Sequence, residues 1–122
     1  MATIKTLSVL ANNVTLVASA ANYESSAVDL QDGYMSGLAI KVTNGATGPT
    51  VAAAVQVWWS GDNSNWYKLG GAFAAALGNN VISSWPCPLP MYAKYVKVTA
   101  GSNTGQNVTL RVEAIEVSDV NA

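Results

Sequence analysis

Short segments that alternate apolar with polar residues, each bounded by a cluster of Gly, Pro, Asn and Asp, recur from one end of this chain to the other. A side-chain period of two sends successive residues to opposite faces, so such segments read as half-buried strands. Leu38, Ile40 and Val42 alternate with Lys41, and Val108, Leu110 and Val112 alternate with Arg111 and Glu113. Each of these strands has one core face and one wet face. The predicted strands are Ile4 to Val9, Val14 to Ala18, Ala27 to Leu30, Leu38 to Thr43, Ala52 to Ser60, Trp66 to Gly70, Val81 to Trp85, Tyr92 to Ala100 and Asn107 to Val117. Between them lie QDGY, TNGATGP, SGDNSN, LGNN, CPLP and GSNTGQ, all turn chemistry. The expectation is an all-β fold: an antiparallel two-sheet β-sandwich of eight or nine strands, wired like a jelly roll, in a single domain over residues 1–122. AFAAAL, Ala72 to Leu77, also reads as a helical turn, too short to stand as an independent helix.

Apolar residues make up 50% of the chain and suit a packed core, but charged residues are only 11%, against about 25% in an ordinary soluble domain. The polar surface is therefore built from Asn, Ser, Thr and Gly. A surface of net charge -1 repels its neighbours weakly, so association with further copies is expected. Six basic residues are scattered without a cluster, which argues against nucleic acid as a partner. No stretch has the length of a membrane span, so no membrane partner is expected. The opening MATIKTLSVLANNVTLVASAAN has a secretion signal's outline, with Lys5, an apolar middle and small residues at Ala18 to Ala20. Asn12 and Asn13 interrupt its apolar run, and the expectation is mature sequence made in a cytoplasm.

The chain has no histidine, which removes the commonest general base and the commonest metal ligand together. Cys87 is its one cysteine and reads as a small buried hydrophobe. Glu113 and Glu116 have odd spacing and point to opposite faces of a regular strand, so they cannot act as a glycosidase pair. Asp29 with Asp32, and Asp62 with Asn63 and Asn65, offer a few oxygens to calcium, but both patterns fit Asx-type turns better. The expectation is a protein that is not an enzyme and takes no cofactor and no metal.

VQVWWSGDNSNWYKLG brings three tryptophans together. Treating it as a hairpin, one register pairs Ser60 with Trp66, Trp59 with Tyr67, Trp58 with Lys68 and Val57 with Leu69. A slip by one residue sets Lys68 against Val57 on the apolar side, an unpaired charge facing the core, so the first register is preferred. Val55, Val57, Trp59, Tyr67 and Leu69 then share the core face, and Gln56, Trp58, Ser60, Trp66 and Lys68 share the outer one. The outer pair Trp58 and Trp66 is either a cross-strand contact that stabilises the hairpin or, with Gln56 and Lys68, an interaction surface. Such a surface can stack on a sugar ring or anchor a protein interface.

The chain also resembles, in its size, its composition, its VQVWWSGDNSNWYKLGG hairpin and its closing YAKYVKVTAGSNTGQNVTLRVEAIEV, the small β-sandwich structural proteins of tailed bacteriophages. The resemblance is to the capsid decoration or cement type with jelly-roll-like folds. It implies a virion protein on the outer surface of the head, with the major capsid protein and copies of itself as partners, stabilising the head against internal DNA pressure. A carbohydrate-binding module with surface glycans as ligand, and a tail or baseplate component, remain as alternatives. Similar hairpins occur in discoidin-like and other sugar-binding sandwiches.

Overall fold

The computed structural model describes residues 2–30 and 35–120. Among them run ten strands and no helix: β1 (Ala2–Leu16), β2 (Tyr23–Glu24), β3 (Val28–Asp29), β4 (Met35–Asn44), β5 (Ala54–Ser60), β6 (Tyr67–Lys68), β7 (Phe73–Ala74), β8 (Ile82–Pro88), β9 (Tyr95–Gly101) and β10 (Val108–Val120). They pair from the ends of the chain inward. β1 pairs β10, β2 and β3 pair β9, β4 pairs β8, and β5 pairs β6 and β7, all antiparallel. The chain is thus one long hairpin with its tip at the β5–β6 turn, rolled up so that β10 also meets β4 and β9 also meets β5. The result is a four-stranded sheet, β1-β10-β4-β8, and a second sheet ordered β2-β9-β5-β6 with β3 and β7 flanking it. This is jelly-roll wiring, and the count of ten reduces to eight if β2 with β3, and β6 with β7, are taken as two broken strands.

The core lies between the sheets and is rich in β-branched residues that suit a pleated surface. Val42, Val55, Val57, Val96, Val98, Leu110 and Val112 are all fully buried. Each contributes about 1.5–3 kcal/mol relative to an exposed side chain. Two buried asparagines tie loops to this core. Asn44 donates through Nδ2 to the carbonyls of Ala76 and Gly78, both at 2.8 Å, and Asn103 donates to those of Leu16 and Gln106, both at 3.0 Å.

Several local expectations change. The two predicted opening strands are one, because β10 runs unbroken beside them and Asn12–Asn13 forms bulges, with register shifts between Val9 and Val14, instead of a turn. Asn13 takes the left-handed conformation there, at φ 51°, which asparagine tolerates better than most residues. CPLP is not the turn expected, since β8 continues through Pro86 and Pro88. β8 is an edge strand bonded to β4 near its ends through Leu89 and Val81. Odd-numbered residues therefore face β4, and the two prolines leave their missing donors on the open side. AFAAAL holds no helical turn: Phe73 and Ala74 pair with Val55 and Ala54. The turn QDGY, with Asp32, lies outside the described residues.

Candidate functional site

The β5–β6 hairpin has the register that keeps Lys68 out of the core, with Trp58 opposite Lys68 and Trp59 opposite Tyr67. Its tip is held by Asp62. Oδ1 accepts hydrogen bonds from the amides of Ser64 and Asn65 at 2.9 and 2.8 Å and from the Ser60 hydroxyl at 3.0 Å, while Oδ2 accepts one from Asn65 Nδ2 at 2.7 Å. The backbone bond from Asn65, then that from Ser64, hold the carboxyl well below the usual carboxylate range. Its oxygens are thus engaged in closing an Asx-type turn. Asn63 takes φ 61° in that turn. Among the described residues no three of His, Cys, Asp and Glu converge as metal ligands would.

A group whose carboxylate is favoured by folding stabilises the native state above its unfolded pKa, about 3.9, and loses that contribution as the pH falls below it. Asp62→Ala should therefore melt below wild type at pH 7, and the gap should close as the pH is lowered from about 5 towards 2. Parallel melting curves at every pH would contradict this role for Asp62.

The structure brings Gln56, Trp58, Trp66 and Lys68 together on the outer face of the β2-β9-β5-β6 sheet. Each meets groups of its own fold there. Trp58 donates through Nε1 to Thr99 Oγ1 at 3.0 Å, and Lys68 Nζ stands 5.6 Å from the centroid of its ring. Lys97 Nζ lies 4.5 Å from the Trp66 centroid and is fixed by Glu24 Oε2 at 3.1 Å. Gln56 Nε2 donates to the carbonyls of Val57 and Gly70, at 3.0 and 3.2 Å. Both tryptophans are half-buried beneath these side chains. Ser60, assigned to this face by alternation, is fully buried, because the tip folds over it and its hydroxyl accepts the amides of Asp62 and Asn63.

On the other face of the hairpin, Trp59 packs against the core as assigned, but the assignment of Tyr67 to the core needs correction. Trp59 is half-buried at the core's rim and Tyr67 is 53% exposed, because β6 is a two-residue edge segment. Trp59 sits between Tyr67 and Tyr92, each with its ring centroid 5.1 Å away. Tyr92 and Met91, in the segment before β9, are among the most exposed large side chains.

The wet outer face expected of β4 and β10 holds at Lys41, Arg111 and Glu113, but the rest of the outer face of the β1-β10-β4-β8 sheet is largely apolar. The paired registers stack four rows across it: Lys5–Val117–Met35, then Leu7–Ile115–Gly37–Pro88, then Val9–Glu113–Ala39–Pro86, then Arg111–Lys41–Ser84. The side chains of Leu7, Met35 and Ile115 stand 55%, 61% and 39% exposed. Between these larger groups and the prolines, Gly37 and Ala39 form the low floor of a trough of about 900 Å³. A Cβ on Gly37 would meet the Cys87 carbonyl oxygen at 3.5 Å and Pro88 Cα at 3.8 Å, ordinary contacts, so the packing does not demand glycine. A readable signal was present: Ala114 and Ile115 are adjacent apolar residues on opposite faces of β10, as in a strand covered on both sides. Cys87, just under the floor, is buried, and desolvation pushes its thiol pKa up, away from reactivity.

Sheet order, pairing and core define the class as a jelly-roll β-sandwich. Its fold is similar to that of the SPBc2 prophage-derived protein YomS, with a TM-score of 0.59 at 15% identity over 97% of this chain and 96% of that one. It is similar as well to a chain of the infectious bursal disease virus VP2 subviral particle, with a TM-score of 0.57 at 7% identity, and covers 94% of this chain but only 32% of that one. A pilus protein of Bacillus endospore appendages matches with a TM-score of 0.51 at 9% identity, over 98% of this chain and 89% of that chain. At such identities the likeness is one of fold. No protein-family model and no curated protein matches the sequence.

Proposed function

We propose that this protein is a non-enzymatic virion structural protein, made in the host cytoplasm, that binds the outer surface of a tailed-phage capsid and stabilises it. Its partners on this reading are the major capsid protein and further copies of itself. The observation that carries the reading is the apolar outer face of the four-stranded sheet. Exposed large side chains gathered into one face mark an interaction site more often than a free surface. The fold likeness to a prophage-derived protein of matching length, and to a chain of a viral particle, supports a virion as the place of that interaction. Heads purified without the protein should bind it when it is added back, sediment with it, and release their DNA at a higher temperature. Heads that neither retain it nor gain heat resistance would overturn the reading.

A second reading, sugar binding, is favoured by one observation, the group of Trp59, Tyr67 and Tyr92 at one end of the sandwich. Exposed aromatic faces of this kind can stack on a pyranose ring. Binding on a glycan array that disappears in Tyr92→Ala would establish it.

A further inference from the structure

We propose that the trough on the outer face of the β1-β10-β4-β8 sheet is a docking site, and that its occupant is an extended segment of another protein. That segment is about six residues long and carries apolar side chains between two carboxylates. This deepens the capsid-binding reading, on which it rests for the identity of the partner protein.

Length and shape come first. From the Met35 row to the Lys41 row the trough follows seven residues of β4, six steps of about 3.4 Å or roughly 20 Å. Ile115 and Val117 on one side, and Pro86 and Pro88 on the other, wall a floor that at Gly37 has no side chain. A glycine inside a strand weakens it, and often marks the close approach of another backbone. A single chain in extended form fits such a strip, with alternate side chains pointing down.

Charge then selects the occupant. The chain has six basic residues. Lys68, Lys94 and Lys97 each stand over an aromatic ring of the second sheet's hairpin or of β9. The other three, Lys5, Lys41 and Arg111, border the trough. Arg111 is committed to Glu113 Oε1 at 2.7 Å and Asn12 Oδ1 at 2.7 Å, which also neutralises the one carboxylate among the described residues that line the trough. Among the described residues Lys5 and Lys41 form no ion pair, and they stand at opposite ends of the apolar floor. A second copy of this face would bring the same uncompensated cations against it. An apolar segment ending in carboxylates complements both ends at once, and charge complementarity of this kind fixes register and rejects other partners.

The test selects octapeptides from a random library displayed on yeast, using the full-length protein, and measures the enriched peptides against variants. Ala39→Glu places a carboxylate on the exposed floor, and Lys41→Glu reverses one end; both positions are exposed, and circular dichroism checks that the variants fold. Enriched peptides should carry apolar residues at alternate positions and Asp or Glu near both ends. They should bind Ala39→Glu and Lys41→Glu at least tenfold more weakly than wild type, and lose affinity as salt is raised. No enrichment, basic ends, or equal binding to wild type and Ala39→Glu would overturn the proposal. So would a dimer in sedimentation that Ala39→Glu dissociates, since the occupant would then be a second copy. No phage particle enters this selection, so its outcome is separate from that of the head-binding assay.

Discussion

Leu110→Ala is expected to destabilise the fold by about 3 kcal/mol and to lower the melting temperature by roughly 10–20 °C in a domain of this size. Leu110 is fully buried in β10, between Val14 of β1 and Val42 of β4. β10 is flanked on both sides, so truncation there leaves a cavity that no edge can collapse to fill. The cost is a large share of the 5–15 kcal/mol that holds an ordinary domain together. Calorimetry on the single variant measures it. A melt within about 3 °C of wild type would mean that the two sheets do not close over this residue.

The tryptophans of the β5–β6 hairpin give the second large effect, and it should divide by face. Trp59→Ala removes a ring packed on the core and on Tyr67 and Tyr92, and is expected to cost about 3 kcal/mol. Trp58→Ser loses one hydrogen bond to Thr99 and the Lys68 contact, about 1–2 kcal/mol together. Trp66→Ser loses the contact with Lys97, about 0.5–1 kcal/mol. Thermal melts of the three variants check the order. Trp58→Ser unfolding more readily than Trp59→Ala would show that the hairpin faces are reversed. Normal head binding by the Trp58→Ser, Trp66→Ser double variant would assign that outer pair to hairpin packing alone.

What could be read from the sequence was whatever one charged residue or one alternation decides. Lys68 cannot face the core, and that single constraint orients β5 and β6 and separates Trp59 from Trp58. Alternation at Leu38–Val42 and Val108–Val112 orients β4 and β10. Features decided by a partner strand were not readable. Asn12–Asn13 becomes a bulge only because β10 continues past it, and Pro86 and Pro88 are tolerated only because β8 is an edge. Ala72–Leu77 has little local preference against strand, so pairing of Phe73 and Ala74 with β5 decides its conformation. The burial of Ser60 depends on the Asp62 turn folding back over it. The Gln56, Trp58, Trp66 and Lys68 surface was legible as a cluster, but not the partners supplied by β9 and β2, because Thr99, Lys97 and Glu24 are distant in sequence.

The proposed capsid binding is tested most directly by an electron-microscopy reconstruction of phage particles from a lysate in which this protein is made. Jelly-roll density is expected on the outer surface of the head, with the β1-β10-β4-β8 sheet turned towards the capsid and the trough over Gly37 filled by a capsid-protein segment. A head whose outer surface lacks this density, or density that meets the capsid only through the Trp58 and Trp66 face, would contradict it.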